Sequence, residues 1–202
     1  MRSLYPFCII KHTKMSTENN QNVYDFDFNY ITSFFTELDF LGPGSKESTE
    51  KALSFIPTMN ENAIIVDFGC GTGRQTIDMA KCVEGKVYTI DISPNMVDRC
   101  KLRIEKAGLN NRVFAEEGSM DSPDFEKESL DLIWAEGSIY HIGFEKGLNI
   151  WHKYLKKGGY ITLTECCWLS NERPNDKDWL EENMIEIDSI SNKIKIIENQ
   201  GY

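Results

Sequence analysis

The sequence predicts an α/β fold: a doubly wound, mostly parallel sheet with helices on both faces. Three observations predict it. Five short apolar runs, rich in β-branched residues, alternate with helical patterns between Ile64 and Thr164. Four of those runs end in glycine or acidic punctuation, which suits strands whose carboxyl ends open onto a ligand crevice. The first run is followed by glycines at alternate positions and then by a helix, the opening half of a βαβ unit.

Taken in order, residues 1–22 read as a leader. Leu4-Tyr5-Pro6-Phe7-Cys8-Ile9-Ile10 is apolar and follows Arg2, but no small-residue cleavage site is present and Lys11 and Lys14 come at once. An extension ahead of an internal start at Met15 is expected, with residues 16–22 polar and loose. Residues 23–60 read as a helical cap. An amphipathic helix covers residues 30–38, Gly42-Pro43-Gly44 turns the chain, and a second helix opens at Ser45 or Ser48 and runs to Phe55. Aromatics at helical spacing fit a core, yet Phe34 and Phe35 also stand where they could line an apolar substrate pocket.

Residues 61–202 read as the sheet domain. Ile64-Ile65-Val66-Asp67-Phe68 is strand one, and the turn Gly69-Cys70-Gly71-Thr72-Gly73 leads into a helix that opens at Arg74. Strand two, Lys86-Val87-Tyr88-Thr89-Ile90-Asp91, again ends in an acid. Asp91 lies at about the distance beyond the glycine turn where a carboxylate meets both ribose hydroxyls. Ser93 caps the next helix, with Pro94 in its first position. Val113-Phe114-Ala115-Glu116-Glu117 is strand three, closed by Gly118-Ser119-Met120-Asp121. Leu130-Asp131-Leu132-Ile133-Trp134-Ala135 is strand four, closed by Glu136-Gly137-Ser138. Strand five spans residues 159–164. Helical patterns fill 96–107 and 143–155. A last helix at 190–200 shows Ile190, Ile194 and Ile197 on one face, with Gly201 as its C-terminal cap.

Glycine spacing decides the ligand. A dinucleotide turn reads G-x-G-x-x-G, its third glycine placed for tight packing against a bound pyrophosphate. This turn reads G-x-G-x-G, with Arg74 in the dehydrogenase position, which disfavours an NAD-dependent oxidoreductase as the enzyme alternative. With Asp67 two residues ahead of the first glycine, the turn resembles motif I of the class I S-adenosylmethionine (SAM)-dependent methyltransferases. Asp91-Ile92-Ser93-Pro94-Asn95-Met96 is similar to the same family, and the resemblance runs from about residue 38 to the end of the chain. Leu41-Gly42-Pro43-Gly44-Ser45 and Trp134-Ala135-Glu136-Gly137-Ser138-Ile139-Tyr140 look most like small-molecule members, the ubiquinone/menaquinone-biosynthesis-like bacterial group.

The resemblance implies a Rossmann-like sheet of order 3-2-1-4-5, with the N-terminal helices lying over a SAM cleft. It implies that Asp67 accepts from the SAM ammonium, directly or through water, and that Gly69, Cys70, Gly71 and Gly73 lie under the methionine part. Asp91 would accept from the ribose hydroxyls, Ile92 and Met96 of the same run would also contact SAM, and Gly118, Ser119 and Met120 would take the adenine. Ser119 is a departure, because many members carry an Asp there to accept from the adenine amino group. Glu136 is a candidate both for SAM contact and, with Tyr140 and His141, for work on the acceptor. No N-P-P-Y follows strand four, which lowers the expectation of nucleic-acid bases or glutamine as acceptors. The family sheet continues with two further strands, six and seven, which the sequence does not show. The chain is therefore expected to be C-terminally shortened, with strand five a bare edge that invites a homodimer and with turnover in question, so that a SAM-binding module without turnover is the non-enzyme alternative.

Composition narrows the partners. The 202 residues suffice for one domain with a sizeable core. A net charge of −10 and no Lys/Arg stripe argue against nucleic acid or anionic membrane as partners. No run is long and apolar enough to span a bilayer. The six cysteines form no metal spacing, and adjacent Cys166 and Cys167 cannot join without strain, so reduced thiols in a cytoplasmic setting are expected. His12, His141 and His152 are scattered and suggest no metal site.

Overall fold

The computed structural model describes residues 35, 38, 41, 42, 44–170, 172 and 186–202. The leader, Phe34 and most of the first expected helix lie outside the described residues. Helix α1 (Lys46–Leu53) begins with a reciprocal cap: Ser48 N donates to Ser45 Oγ at 3.2 Å, and Ser45 N donates to Ser48 Oγ at 2.8 Å. Both serines expected at this boundary therefore act together, each satisfying an amide the helix leaves open.

Five strands form one parallel sheet: β1 (Ile64–Phe68), β2 (Lys86–Asp91), β3 (Val113–Glu117), β4 (Leu130–Ala135) and β5 (Leu155–Leu163). Their order is β3-β2-β1-β4-β5, as expected, with Val66 opposite Tyr88 on one side and Ile133 on the other. Between them run α2 (Arg74–Ala80), α3 (Pro94–Lys106) and α4 (Phe144–His152). Strand side chains alternate between the faces. Ile65, Leu132 and Trp134 pack with Met79, Val97, Cys100 and Ile104 of α2 and α3 on one face. Val66, Phe68 and Ile133 pack with Phe144, Leu148 and Trp151 of α4 on the other. Phe68 and Trp151 stack with ring centroids 5.0 Å apart. Burying each such side chain contributes about 1.5–3 kcal/mol.

Two elements differ from expectation. Strand β5 starts at Leu155 rather than Gly159, because Leu155 already pairs with Leu130. The register then slips so that Tyr160 faces Leu132, with Gly158 in between at φ +78°. The second difference concerns helix α5 (Ile190–Asn199). Ile190 and Ile194 are exposed, while Ile196 and Ile197 pack on the α4 face and Lys193 is buried with its Nζ 4.2 Å from the Phe144 ring centroid. The lysine stem covers apolar surface and its charge rests on an aromatic face, so Lys193 turns inward. Two short strands, β6 (Cys167–Trp168) and β7 (Asp188–Ser189), pair with each other in a separate parallel pair. Among the described residues β5 pairs with β4 alone. No helix among them is long and apolar enough to cross a membrane.

Candidate functional site

Parallel strands all point their carboxyl ends the same way, and the chain reverses from β1 toward β2 on one side and β4 on the other. A crevice opens at that switch point, where open α/β sheets take ligands. Here it is a cavity of about 610 Å³, within the usual range for small-molecule sites.

The glycine turn forms its floor. Gly69, Gly71 and Gly73 have φ of +72°, +54° and +79°. Gly69 N and Cys70 N donate to Ile90 O at 2.8 and 3.1 Å, which ties the turn to the end of β2. Gly71 has a second constraint, since a Cβ there would lie 2.6 Å from Leu41 Cδ1. Gly73 faces away from the cavity and onto α3, where a Cβ would collide with Cys100 Sγ. It shapes the turn from beneath and is not among the lining residues.

Asp67 lies beside this floor and is 3% exposed. Thr76 Oγ1 donates to its Oδ2 at 2.5 Å. Burial pushes its pKa up to about 7; the Thr76 hydroxyl opposes the shift, and Glu136 and Asp91 add to it. The unfolded value is near 3.8, so between these limits the folded chain keeps a proton that the unfolded chain has lost. This contribution to stability is complete below pH 3.8 and is lost as pH rises through 7. Urea unfolding of the ligand-free protein is therefore expected to show falling stability across that window, with a shallower slope in Asp67→Asn. An equal slope in the variant would remove Asp67 as its source.

Asp91, at the tip of β2, accepts from Gly71 N at 2.8 Å through Oδ2 and from Ser93 N at 2.9 Å through Oδ1. One carboxylate thus braces both the glycine turn and the start of α3. Each oxygen keeps a second lone pair for a ligand hydroxyl. Ile92 beside it is 64% exposed, an apolar wall at the cavity, and Met96 lies behind it, buried. Gly118, Ser119 and Met120 line the adjoining wall. Trp151 Nε1 donates to Met120 O at 2.7 Å, anchoring that loop to α4.

The sequence places Gly118, Ser119 and Met120 at the site and gives Asp121 no role there. The structure brings Asp121 into the same wall, where its carboxylate accepts from Ser119 Oγ at 2.7 Å. The Ser119 hydroxyl, and then Lys146, hold its pKa below the usual carboxylate range. The acid that the turn lacks at one position stands two residues later, and the sequence did print it. Gln75 and Ser138 were also missed. Ser138 Oγ donates to Phe68 O at 2.6 Å and pins the loop after β4 to β1, a contact that only the topology reveals.

Glu136, Tyr140 and His141 all line the cavity beyond β4. Burial raises the Glu136 pKa, against hydrogen bonds from Thr49 and Trp134. Tyr140 and His141 lie in a short turn (Ile139–His141), their rings 4.3 Å apart. Lost solvent raises the Tyr140 pKa and lowers that of His141. Cys70 lines the floor, and a hydrogen bond with Cys100, then burial, raises its pKa well above the ordinary thiol value, so it stays protonated and inert as a nucleophile. Phe35 also reaches the cavity. Among the described lining residues are four carboxylates (Asp67, Asp91, Asp121 and Glu136) and no lysine or arginine. No group of metal-binding side chains occurs among the described residues.

Comparison with known proteins agrees with this geometry. A family model described as a methyltransferase domain matches residues 59–201. The chain belongs to that family, the class I SAM-dependent methyltransferases. It is similar to phosphoethanolamine N-methyltransferase from Plasmodium falciparum (isolate 3D7), 29% identical over 175 residues that cover 81% of this chain and 60% of that protein. Phosphoethanolamine N-methyltransferase 2 from Haemonchus contortus, solved in complex with SAM, shares the fold with a TM-score of 0.69 at 20% identity, over 85% of this chain and 40% of that one. Geranyl diphosphate C-methyltransferase from Streptomyces coelicolor A3(2) shares it with a TM-score of 0.66 at 16% identity, over 76% and 59%. The chain thus spans at most about three fifths of the curated relatives' length in the matches covering most of it.

Proposed function

We propose that this protein transfers a methyl group from SAM to a small-molecule acceptor. One observation carries the reading: a cavity floored by a glycine turn and lined by carboxylates has the charge to hold a cationic ligand. A pyrophosphate laid over the same turn would meet Asp67, Asp91 and Glu136 with like charge, which disfavours a dinucleotide. SAM fits each part, with its ammonium at Asp67, its ribose hydroxyls at Asp91, and its adenine between Ile92 and the Gly118–Met120 wall.

Bound SAM supplies a methyl carbon already activated by a sulfonium, so the transfer is an in-line displacement. What remains for the protein is alignment and exclusion of water. Asp67 and Asp91 fix the donor, while Phe35 and Leu41 provide apolar cover. Glu136 orients ligand or acceptor through its carboxylate. Tyr140, its proton tightly held, offers a hydroxyl donor. His141, neutral near pH 7, can take a proton on a ring nitrogen where the acceptor must lose one. The reading extends to a division into a leader (1–22), a helical cap (23–60) and a SAM-binding domain (61–202), and to a cytoplasmic protein that pairs along β5 as a homodimer and binds neither nucleic acid nor membrane.

Thermal unfolding with added ligand tests this. SAM or S-adenosylhomocysteine (SAH) is expected to raise Tm by mass action, with NAD giving no shift. Equal shifts from NAD and SAH would remove the methyltransferase reading.

A further inference from the structure

Thr49 meets the cleft through Glu136 and does not itself line the cavity. It lies on α1, is 1% exposed, and its single hydroxyl proton has two acceptors in reach. Ser45 O is 3.2 Å away and Glu136 Oε2 is 3.0 Å away. Turned to Ser45, the hydroxyl stays within its own helix. Turned to Glu136, it joins α1 to the carboxyl end of β4. Trp134 Nε1 also donates to Glu136 Oε2, at 3.3 Å, which holds that carboxylate in place. Two close approaches run alongside. The Gly44 backbone comes so near Glu136 that a Cβ would collide with Oε1, and Leu41 reaches Gly71. Leu41 therefore touches the glycine turn, while Gly44 and Thr49 both meet Glu136.

We propose that Thr49 is a positioning residue: through Glu136 it holds α1 and residues 44–45 along the cleft, and a cationic ligand group between Asp67 and Glu136 tightens that hold. The inference rests on the SAM reading, in which the SAM or SAH ammonium is that cation. Without a cation, burial disfavours the ionised forms of Asp67 and Glu136; Glu136 and Asp91 add like charge around Asp67, and Asp78 adds it around Glu136. Arg74 on α2 is engaged with Asp78, its Nε 3.2 Å from Oδ2. A ligand cation favours the ionised forms of Asp67 and Glu136 together. An ionised Glu136 is the stronger acceptor, so the Thr49 proton leaves the Ser45 carbonyl and bridges the two elements.

Hydrogen exchange across residues 46–53, with and without SAH, tests the coupling in the full chain. SAH is expected to slow exchange there by about tenfold, equivalent to ~1.4 kcal/mol, in the wild type and in Thr49→Ser. Thr49→Val, which keeps the shape and removes the proton, should bind SAH and lose the slowing. Gly44→Ala leaves the hydroxyl intact and crowds Glu136, so it should lose the slowing too, whatever becomes of the valine variant. SAH that binds the wild type in calorimetry without slowing exchange at 46–53, or that slows it equally in Thr49→Val and Gly44→Ala, would overturn this coupling alone. A wild type that binds no SAH would overturn the SAM reading and this inference with it.

Discussion

Replacing Gly73 by valine is expected to cost about 2–6 kcal/mol of folding stability, a large share of a domain's whole margin. Two penalties combine there. A residue with a branched side chain held at φ +79° pays about 1–3 kcal/mol for backbone strain. Its Cβ would meet Cys100 Sγ, with Cys100 Cβ at 3.1 Å and Cα at 3.3 Å, so α3 must move away from the turn; such overpacking costs another ~1–3 kcal/mol. Gly108 provides the contrast. It has φ +69° at the end of α3 with no heavy atom within 4 Å of a built Cβ. Gly108→Ala should pay only the backbone penalty, about 1–2 kcal/mol. Urea unfolding of the two variants measures both. Equal losses would show that contact with Cys100 does not limit this position.

Asp91→Ala is expected to weaken SAH binding by about 2–4 kcal/mol, or roughly 30- to 1000-fold, because hydrogen bonds to a charged acceptor are the strong ones. From the sequence, the residue reads as a strand-end acid outside the core, whose loss the fold should survive. The structure gives it two backbone partners, Gly71 N and Ser93 N. Their loss leaves both amides without an acceptor, so the variant should also lose about 2–4 kcal/mol of stability. Calorimetry with SAH and urea unfolding separate the two effects. A folded Asp91→Ala protein with unchanged SAH affinity would refute the ribose assignment.

Much of the fold was legible because its signals are local. β-branched runs, glycine punctuation and the serine and proline at helix starts need no knowledge of the rest of the chain, and all five strands of the sheet follow from them. The floor of the site was legible for the same reason, since Asp67, the glycine turn and Asp91 lie within one βα unit and its next strand. What escaped notice depends on distance in sequence. Thr49 meets Glu136 across 87 residues and Ser138 meets Phe68 across 70. Neither serine nor threonine carries a sign that marks such a partner. Lys193 was unreadable for a different reason: periodicity assigns a lysine to solvent, whereas the Phe144 ring and the apolar stem draw it inward. Asp121 is visible in the sequence, but it stands two residues beyond the position, Ser119, where many members of the family carry their acid.

In the proposed reading, SAM sits in the carboxylate-lined cleft above the glycine turn. A crystal structure of the protein soaked with SAH tests it most directly. The SAH amino group is expected beside Asp67, directly or through one water, with both ribose hydroxyls on the Asp91 carboxylate and the adenine against Ile92 and Met120. SAH bound elsewhere on the molecule, or an NAD pyrophosphate seated over Gly69–Gly73 in a parallel soak, would contradict this reading.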